Sequence, residues 1–305
     1  MKKAVITGPT GAIGIALIKE LLEQGVKVTV ICHRGSRRID RIPKSDLVQI
    51  VECNLDELYH LAEILEHDYD IFYHFAWACT VGDSRNNIEA QVANIQYTID
   101  AVETAALLGC KKFIGAGSQA EYGRYEGHLN ADVPAFPENG YGMAKLCAGQ
   151  MSRIRCQQLG IQHIWARVLS VYGPYDGENT MIISMIRQLL KGERPKCTEG
   201  NQIWDYIYSK DAAKAFYMLG ESGKDGKVYC IGSGQGMPLK EYISTIKNQI
   251  EENLEIGFGD IPYSDKQVMY LCADINELQE DTGFKPEYPF EKGIQETIEW
   301  CRKDS

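Results

Sequence analysis

The stretch Lys3-Ala4-Val5-Ile6-Thr7-Gly8-Pro9-Thr10-Gly11-Ala12-Ile13-Gly14 decides the fold of this chain. Lys3–Thr7 reads as an apolar, β-branched strand, and Ile13–Glu23 carries its apolar residues at helical spacing. A glycine-rich turn between a strand and a helix suits the pyrophosphate of a dinucleotide. Gly8 takes the tight turn, Gly11 the close approach of backbone to phosphate, and Gly14 the contact of helix with sheet. Thr10, Ala12 and Ile13 belong to the same expected cofactor site, because the helix N-terminus they open faces the phosphates. Glycine turns are common, and the strand and helix on either side are what give this one meaning.

Working outward, strand and helix patterns alternate. Strands are expected at Lys27–Cys32, Leu47–Cys53, Ile71–Ala76, Lys112–Ala116 and His163–Arg167, with helices at Glu57–Glu66, Asn87–Leu108 and Gly142–Leu159. Such alternation demands parallel strands joined by crossover helices, an α/β doubly wound sheet of the Rossmann type. Ligands bind at the carboxyl ends of its strands, where Gly8–Gly14, His33–Arg37, Ala76–Thr80 and Ser118 fall. After Tyr172 the pattern loosens, with helices at Met181–Lys191, Leu239–Glu252 and Phe290–Arg302 and a strand at Lys227–Gly232. The expected division is a dinucleotide-binding domain over 1–172 and a smaller α/β substrate-binding lobe over 173–305. Residues 205–219 are expected to pack back on the first domain.

The 305 residues carry a net charge of −10, which argues against nonspecific binding to nucleic acid or to an anionic membrane. No apolar run is long enough to span a bilayer, and a strand almost at Met1 leaves no room for a secretion signal. A cytoplasmic location is the expectation. The ten cysteines are scattered with no CxxC pair, so they read as reduced core thiols rather than disulfides or metal ligands.

Tyr141 and Lys145 stand at i and i+4 within an expected helix and so share a face. An ammonium near a phenol favours the phenolate, lowering the tyrosine pKa towards a range useful for proton transfer. A YxxxK match alone is more often a pair of surface residues. Ser118, after an apolar strand, strengthens the reading, although a turn serine is its bland alternative.

Taken in order, these motifs resemble the extended short-chain dehydrogenase/reductases, in the NAD-dependent epimerase/dehydratase group that acts on nucleotide-activated sugars. The resemblance runs from Lys3 to about Trp300. It takes in Phe72-Tyr73-His74-Phe75-Ala76-Trp77, Asn94 with Thr98, Gly117-Ser118-Gln119-Ala120-Glu121-Tyr122-Gly123, Arg167 to Pro174, and Trp204 to Asp211. It implies that Ser118, Tyr141 and Lys145 are catalytic and that Lys145 also holds the nicotinamide ribose. It further implies cofactor contacts from Asn54 and Leu55, and from Phe75, Ala76 and Trp77 at the end of the fourth strand. Relatives that dehydrate the sugar place an Asp-Glu pair directly after the catalytic hydroxyl, where this chain has Gln119-Ala120, so dehydration is disfavoured. Trp204 stands where many relatives carry a diphosphate-binding arginine, leaving Arg187 and Arg194 as candidates, and Ser170 where many carry an asparagine. Trp77, Tyr122, Tyr172 and Trp204 are candidate aromatic walls, with core packing as the alternative. His74 and Asn94 read as structural.

Cofactor choice turns on the end of the second strand. Cys32 falls where an NAD enzyme offers a carboxylate to the adenosine ribose, and His33, Arg34, Ser36 and Arg37 follow it. Missing acid and added cations favour NADP, with NAD as the alternative. The resulting expectation is an oxidoreductase on a nucleoside-diphosphate sugar, a 4-keto-6-deoxyhexose reductase, acting as a homodimer. Its rivals are an NAD-dependent 4-epimerase with the same residues and an inactive dinucleotide-sensing regulator.

Overall fold

The computed structural model describes residues 1–304. Seven parallel strands form the central sheet: β1 (Lys3–Thr7), β2 (Lys27–Cys32), β3 (Val48–Glu52), β4 (Ile71–His74), β5 (Lys112–Ser118), β6 (Gln162–Val168) and β7 (Val228–Ile231). Their order is β7-β6-β5-β4-β1-β2-β3. The chain runs outward from β1 to β3, then returns to β4 on the other side of β1. The crevice outside the carboxyl ends of β1 and β4 is therefore the switch point at which such sheets bind ligands.

Four helices cover the sheet: α1 (Ala12–Glu23), α2 (Ile88–Leu107), α3 (Gly140–Leu159) and α4 (Ser209–Ser222). Side chains alternate along each strand, so Ala4 and Ile6 pack with α1 and α4 while Val5 and Phe72 pack with α2. Both faces are buried, which is why the central strands read as nearly continuous apolar runs.

Several boundaries differ from expectation for identifiable reasons. β4 ends at His74 rather than Ala76, because its last partner is Thr7 and β1 there turns into Gly8. β5 continues to Ser118, since β6 runs beside it to Val168. α3 begins at Gly140, where the Asn139 side chain accepts the Gly142 N–H at 2.9 Å. The helix expected over 57–66 is a 3-10 segment, Leu55–His60, followed by one α-turn, Leu61–Ile64. Leu58, Leu61 and Leu65 are its buried anchors, with Leu55 packed beside them, too short an apolar face for a longer helix.

Beyond Tyr172, the helices Met181–Leu190, Leu239–Ile250 and Phe290–Lys303 pack around Ile183, Ile186, Ile243, Ile246 and Ile294. Two segments return from this cluster to the sheet. α4 lies against α1, and residues 227–232, expected in the smaller lobe, instead supply β7 beside β6. Among the described residues, no helix is long and apolar enough to cross a membrane.

Candidate active site

The glycine turn has the room and the donors that a pyrophosphate needs. Gly8 adopts φ +68°, and a Cβ there would lie 2.6 Å from the Ala76 nitrogen, so the turn is packed against the end of β4. At Gly14 a Cβ would lie 2.7 Å from the Gly8 carbonyl oxygen. At Gly11 it would meet nothing within 4 Å. Gly11 is also the cap residue of α1, and no side chain caps that N-terminus. Open space therefore faces the N–H groups that begin at Ala12 and Ile13, beside Thr10, and a helix N-terminus favours an anion there.

At the end of β2, Cys32 is buried, whereas His33, Arg34 and Arg37 are exposed. Arg34 is already engaged. Its Nε donates to Glu57 Oε2 at 3.0 Å, and its backbone N–H to Asn54 Oδ1 at 3.2 Å. The Gly35 N–H donates to Glu52 Oε2 at 3.0 Å. Two carboxylates thus stand near a loop that reads as purely cationic in the sequence, and Arg37 has no ion pair among the described residues. Leu55 follows Asn54 into the 3-10 segment.

The three residues with expected chemical roles converge from β5 and α3. Ser118 is the last residue of β5, and its hydroxyl accepts the Ala120 N–H at 3.2 Å. It also faces the Tyr141 phenol and favours its ionised form. Lys145, 3% exposed, donates from Nζ to the Ala116 carbonyl oxygen at 2.6 Å. That ammonium lies 5.8 Å from the Tyr141 ring centroid and 3.7 Å from that of Trp77. Trp77 meets Tyr141 edge to face at 6.2 Å and donates its indole N–H to Gln91 Oε1 at 2.9 Å. Phe75 packs on Phe216, and the Ala76 N–H donates to Thr7 Oγ1 at 3.4 Å.

The electrostatics correct one expectation. Burial pushes the Tyr141 phenol up, against the Ser118 hydroxyl and the charge of Arg85. Burial also pushes Lys145 down to about 7, opposed by Glu121. The ammonium therefore does not set a low phenol pKa by itself, because taking both groups out of water costs more than their proximity returns.

Glu121 was not singled out from the sequence. It is fully buried behind Ser118 and accepts the Ser118 N–H at 2.8 Å, the Trp165 Nε1–H at 2.9 Å and the Arg167 Nε–H at 2.7 Å. Its signal was present in Ser118-Gln119-Ala120-Glu121, the S-x-x-E spacing of a capping box, which these residues form. Arg187 and Arg194 stand apart from this cluster, ion-paired with Asp304 and with Asp260 and Glu255. Trp204 donates its indole N–H to the Ser170 hydroxyl at 2.8 Å. Tyr122 is a packing residue whose hydroxyl donates to the Asn130 carbonyl oxygen at 2.6 Å. His74 shares a 2.9 Å hydrogen bond with Thr7, and Asn94 holds both the N–H and the carbonyl of Ala78 at 3.0 Å.

Comparison with known proteins places this geometry among others. CDP-abequose synthase of Salmonella typhimurium is 25% identical, with 96% of each chain covered. The dTDP-4-dehydro-6-deoxyglucose reductase of Escherichia coli is 26% identical over 98% of this chain and 97% of its own. The structure of UDP-N-acetylglucosamine 4-epimerase from Methanobrevibacter ruminantium M1, in complex with UDP-N-acetylmuramic acid, superposes with a TM-score of 0.90. Its identity is 25%, over 100% of this chain and 99% of that one. Residues 4–232 match the family described as NAD dependent epimerase/dehydratase, which spans β1 to the end of β7. With that match over the glycine turn, Ser118, Tyr141 and Lys145 alike, the chain belongs to the NAD-dependent epimerase/dehydratase family of enzymes.

Proposed function

We propose that this enzyme reduces the 4-keto group of a nucleoside-diphosphate 6-deoxyhexose. The observation that carries the reading is the convergence of Ser118, Tyr141 and Lys145 at the carboxyl end of β5, with Gln119 and Ala120 following Ser118. Ala120 has no proton to transfer, which disfavours loss of water from the sugar. A nicotinamide cofactor, when bound, supplies the reducing equivalent. The chain does the rest: Ser118 fixes the carbonyl oxygen, Tyr141 hands it a proton, and Lys145 holds the ribose. Gly8, Gly11 and Gly14 hold the pyrophosphate, and positioning of this kind supplies much of the rate. The helical cluster beyond Tyr172 is the proposed substrate lobe.

NADP is the proposed cofactor, held at its 2′-phosphate by Arg37 and by Arg34 once Arg34 exchanges Glu57 for the phosphate. The similarity to the E. coli reductase supports the ketoreductase reading. The Arg34–Glu57 pair and the likeness to a 4-epimerase favour a second one, a 4-epimerase that retains NAD. A homodimer is proposed through α2 and α3, where Ile88, Val92, Met143, Met151 and Ile154 are exposed.

Mass spectrometry of the purified protein, with NADPH oxidation measured on 4-keto-6-deoxyhexose nucleotides, tests the assignment. Turnover of added NADPH supports the reductase. Tightly held NAD with interconversion of C4 epimers overturns it.

A further inference from the structure

Arg85 lies on the face of the Tyr141 ring. Its guanidinium carbon is 4.6 Å from the ring centroid, nearer than the Lys145 ammonium at 5.8 Å. The backbone fixes this placement. Arg85 belongs to a 3-10 turn, Gly82–Asn86, and the next side chain, Asn86, accepts the Gly140 N–H at 2.9 Å. Gly140 directly precedes Tyr141, and a Cβ on it would come within 3.0 Å of the Arg85 carbonyl oxygen. The turn and the start of α3 are thus in contact, which holds the guanidinium beside the phenol.

Arg85 also has no carboxylate to balance its charge. Arg34, Arg124, Arg155, Arg167, Arg187 and Arg194 each have a carboxylate partner, and among the described residues Arg85 has none. Its Nε is buried without a hydrogen-bond partner. A shielded donor on an unpaired cation is costly, and an anion beside it relieves that cost. The ring it covers is the one that would become an anion.

We propose that Arg85 is a positioning residue for proton transfer, its fixed charge stabilising the phenolate form of Tyr141. The proposal rests on the proton-transfer role proposed for Tyr141. In that step the Tyr141 O–H bond breaks and an O–H bond forms on the substrate oxygen, as hydride from reduced nicotinamide makes the new C–H bond. The phenolate left behind is reprotonated from solvent. A guanidinium keeps its charge at every working pH, whereas Lys145 titrates near neutrality. The other groups facing the phenol are the Ser118 hydroxyl from β5, the Trp77 edge from the β4 loop, Lys145 one turn along α3, and Glu121, whose charge opposes the phenolate.

The test places 3-fluorotyrosine at position 141 alone and follows its fluorine resonance against pH in the wild type, R85M and R85K. No substrate is needed. Loss of a cation at this distance raises the midpoint by about one pH unit in R85M, with R85K between the two. A midpoint in folded R85M equal to that of the wild type overturns the proposal, and R85Q, equally uncharged, supplies the same comparison if R85M does not fold. A shifted midpoint in a protein without ketoreductase activity supports the Arg85 effect while overturning the substrate reading.

Discussion

Glu121 and Arg167 form an ion pair at 2.7 Å in which the side chains are 0% and 5% exposed. Glu121 also holds the Ser118 backbone and the Trp165 indole, so one carboxylate ties the Ser118 end of β5 to β6. Removing one partner leaves the other charge buried. Glu121→Ala is expected to cost about 3–5 kcal/mol, measured by chemical denaturation. A double variant with apolar residues at both positions should recover most of that loss. A single variant as stable as the wild type would show the pair to be dispensable.

Tyr141→Phe should lower kcat by about two orders of magnitude or more, the scale of general-acid catalysis. Cofactor affinity should change little, since the variant keeps Lys145 and the glycine turn. Steady-state kinetics and a cofactor titration separate the two effects.

Gly11→Val should abolish dinucleotide binding without unfolding the protein. An added Cβ at Gly11 meets open space, whereas at Gly8 or Gly14 it would collide with backbone. Calorimetry on the folded variant decides, and unchanged affinity would remove the cofactor site from this turn.

Replacing Arg34 and Arg37 together with alanine should weaken NADPH more than NADH, by about tenfold or more, because hydrogen bonds to charged groups contribute roughly 1.5–3 kcal/mol each. Cys32→Asp should act in the same direction by offering the ribose a carboxylate. Equal losses for both cofactors in a binding titration would favour the epimerase reading.

Lys145 makes stability depend on pH. Its pKa falls from an ordinary 10.5 to about 7, so above pH 7 the unfolded chain holds a proton that the folded chain has lost. The penalty of burying the ammonium is fully present below pH 7 and disappears as pH rises towards 10.5. The difference in stability between wild type and Lys145→Met, measured without cofactor, should therefore move in favour of the wild type across that window. A difference independent of pH would contradict the burial of a charged Lys145.

The sheet was legible because every strand from β1 to β6 is followed by a local pattern that declares the next element. The place of β7 was not, since Val228–Ile231 is an apolar strand by any local measure and only its pairing with β6 assigns it to the sheet. The same distinction holds in the site. Ser118, Tyr141 and Lys145 follow from spacing, and Glu121 could have followed from its S-x-x-E signal. Arg85 could not, because a tertiary contact between its turn and Gly140 brings it to Tyr141. Nor could the depressed pKa of Lys145, which depends on burial that no neighbouring residue announces.

The late arrival of β7 has a consequence for synthesis. Until residue 231 has left the ribosome, β6 is an open edge of a parallel sheet, offering its backbone to any other strand, and α1 lacks the cover of α4. A nascent chain that ends at Tyr172 therefore holds the whole glycine turn and every residue of the Ser118, Tyr141 and Lys145 set, yet lacks the seventh strand and the cover of α4. The long wait between β6 and its partner is the interval in which this chain is most exposed to aggregation.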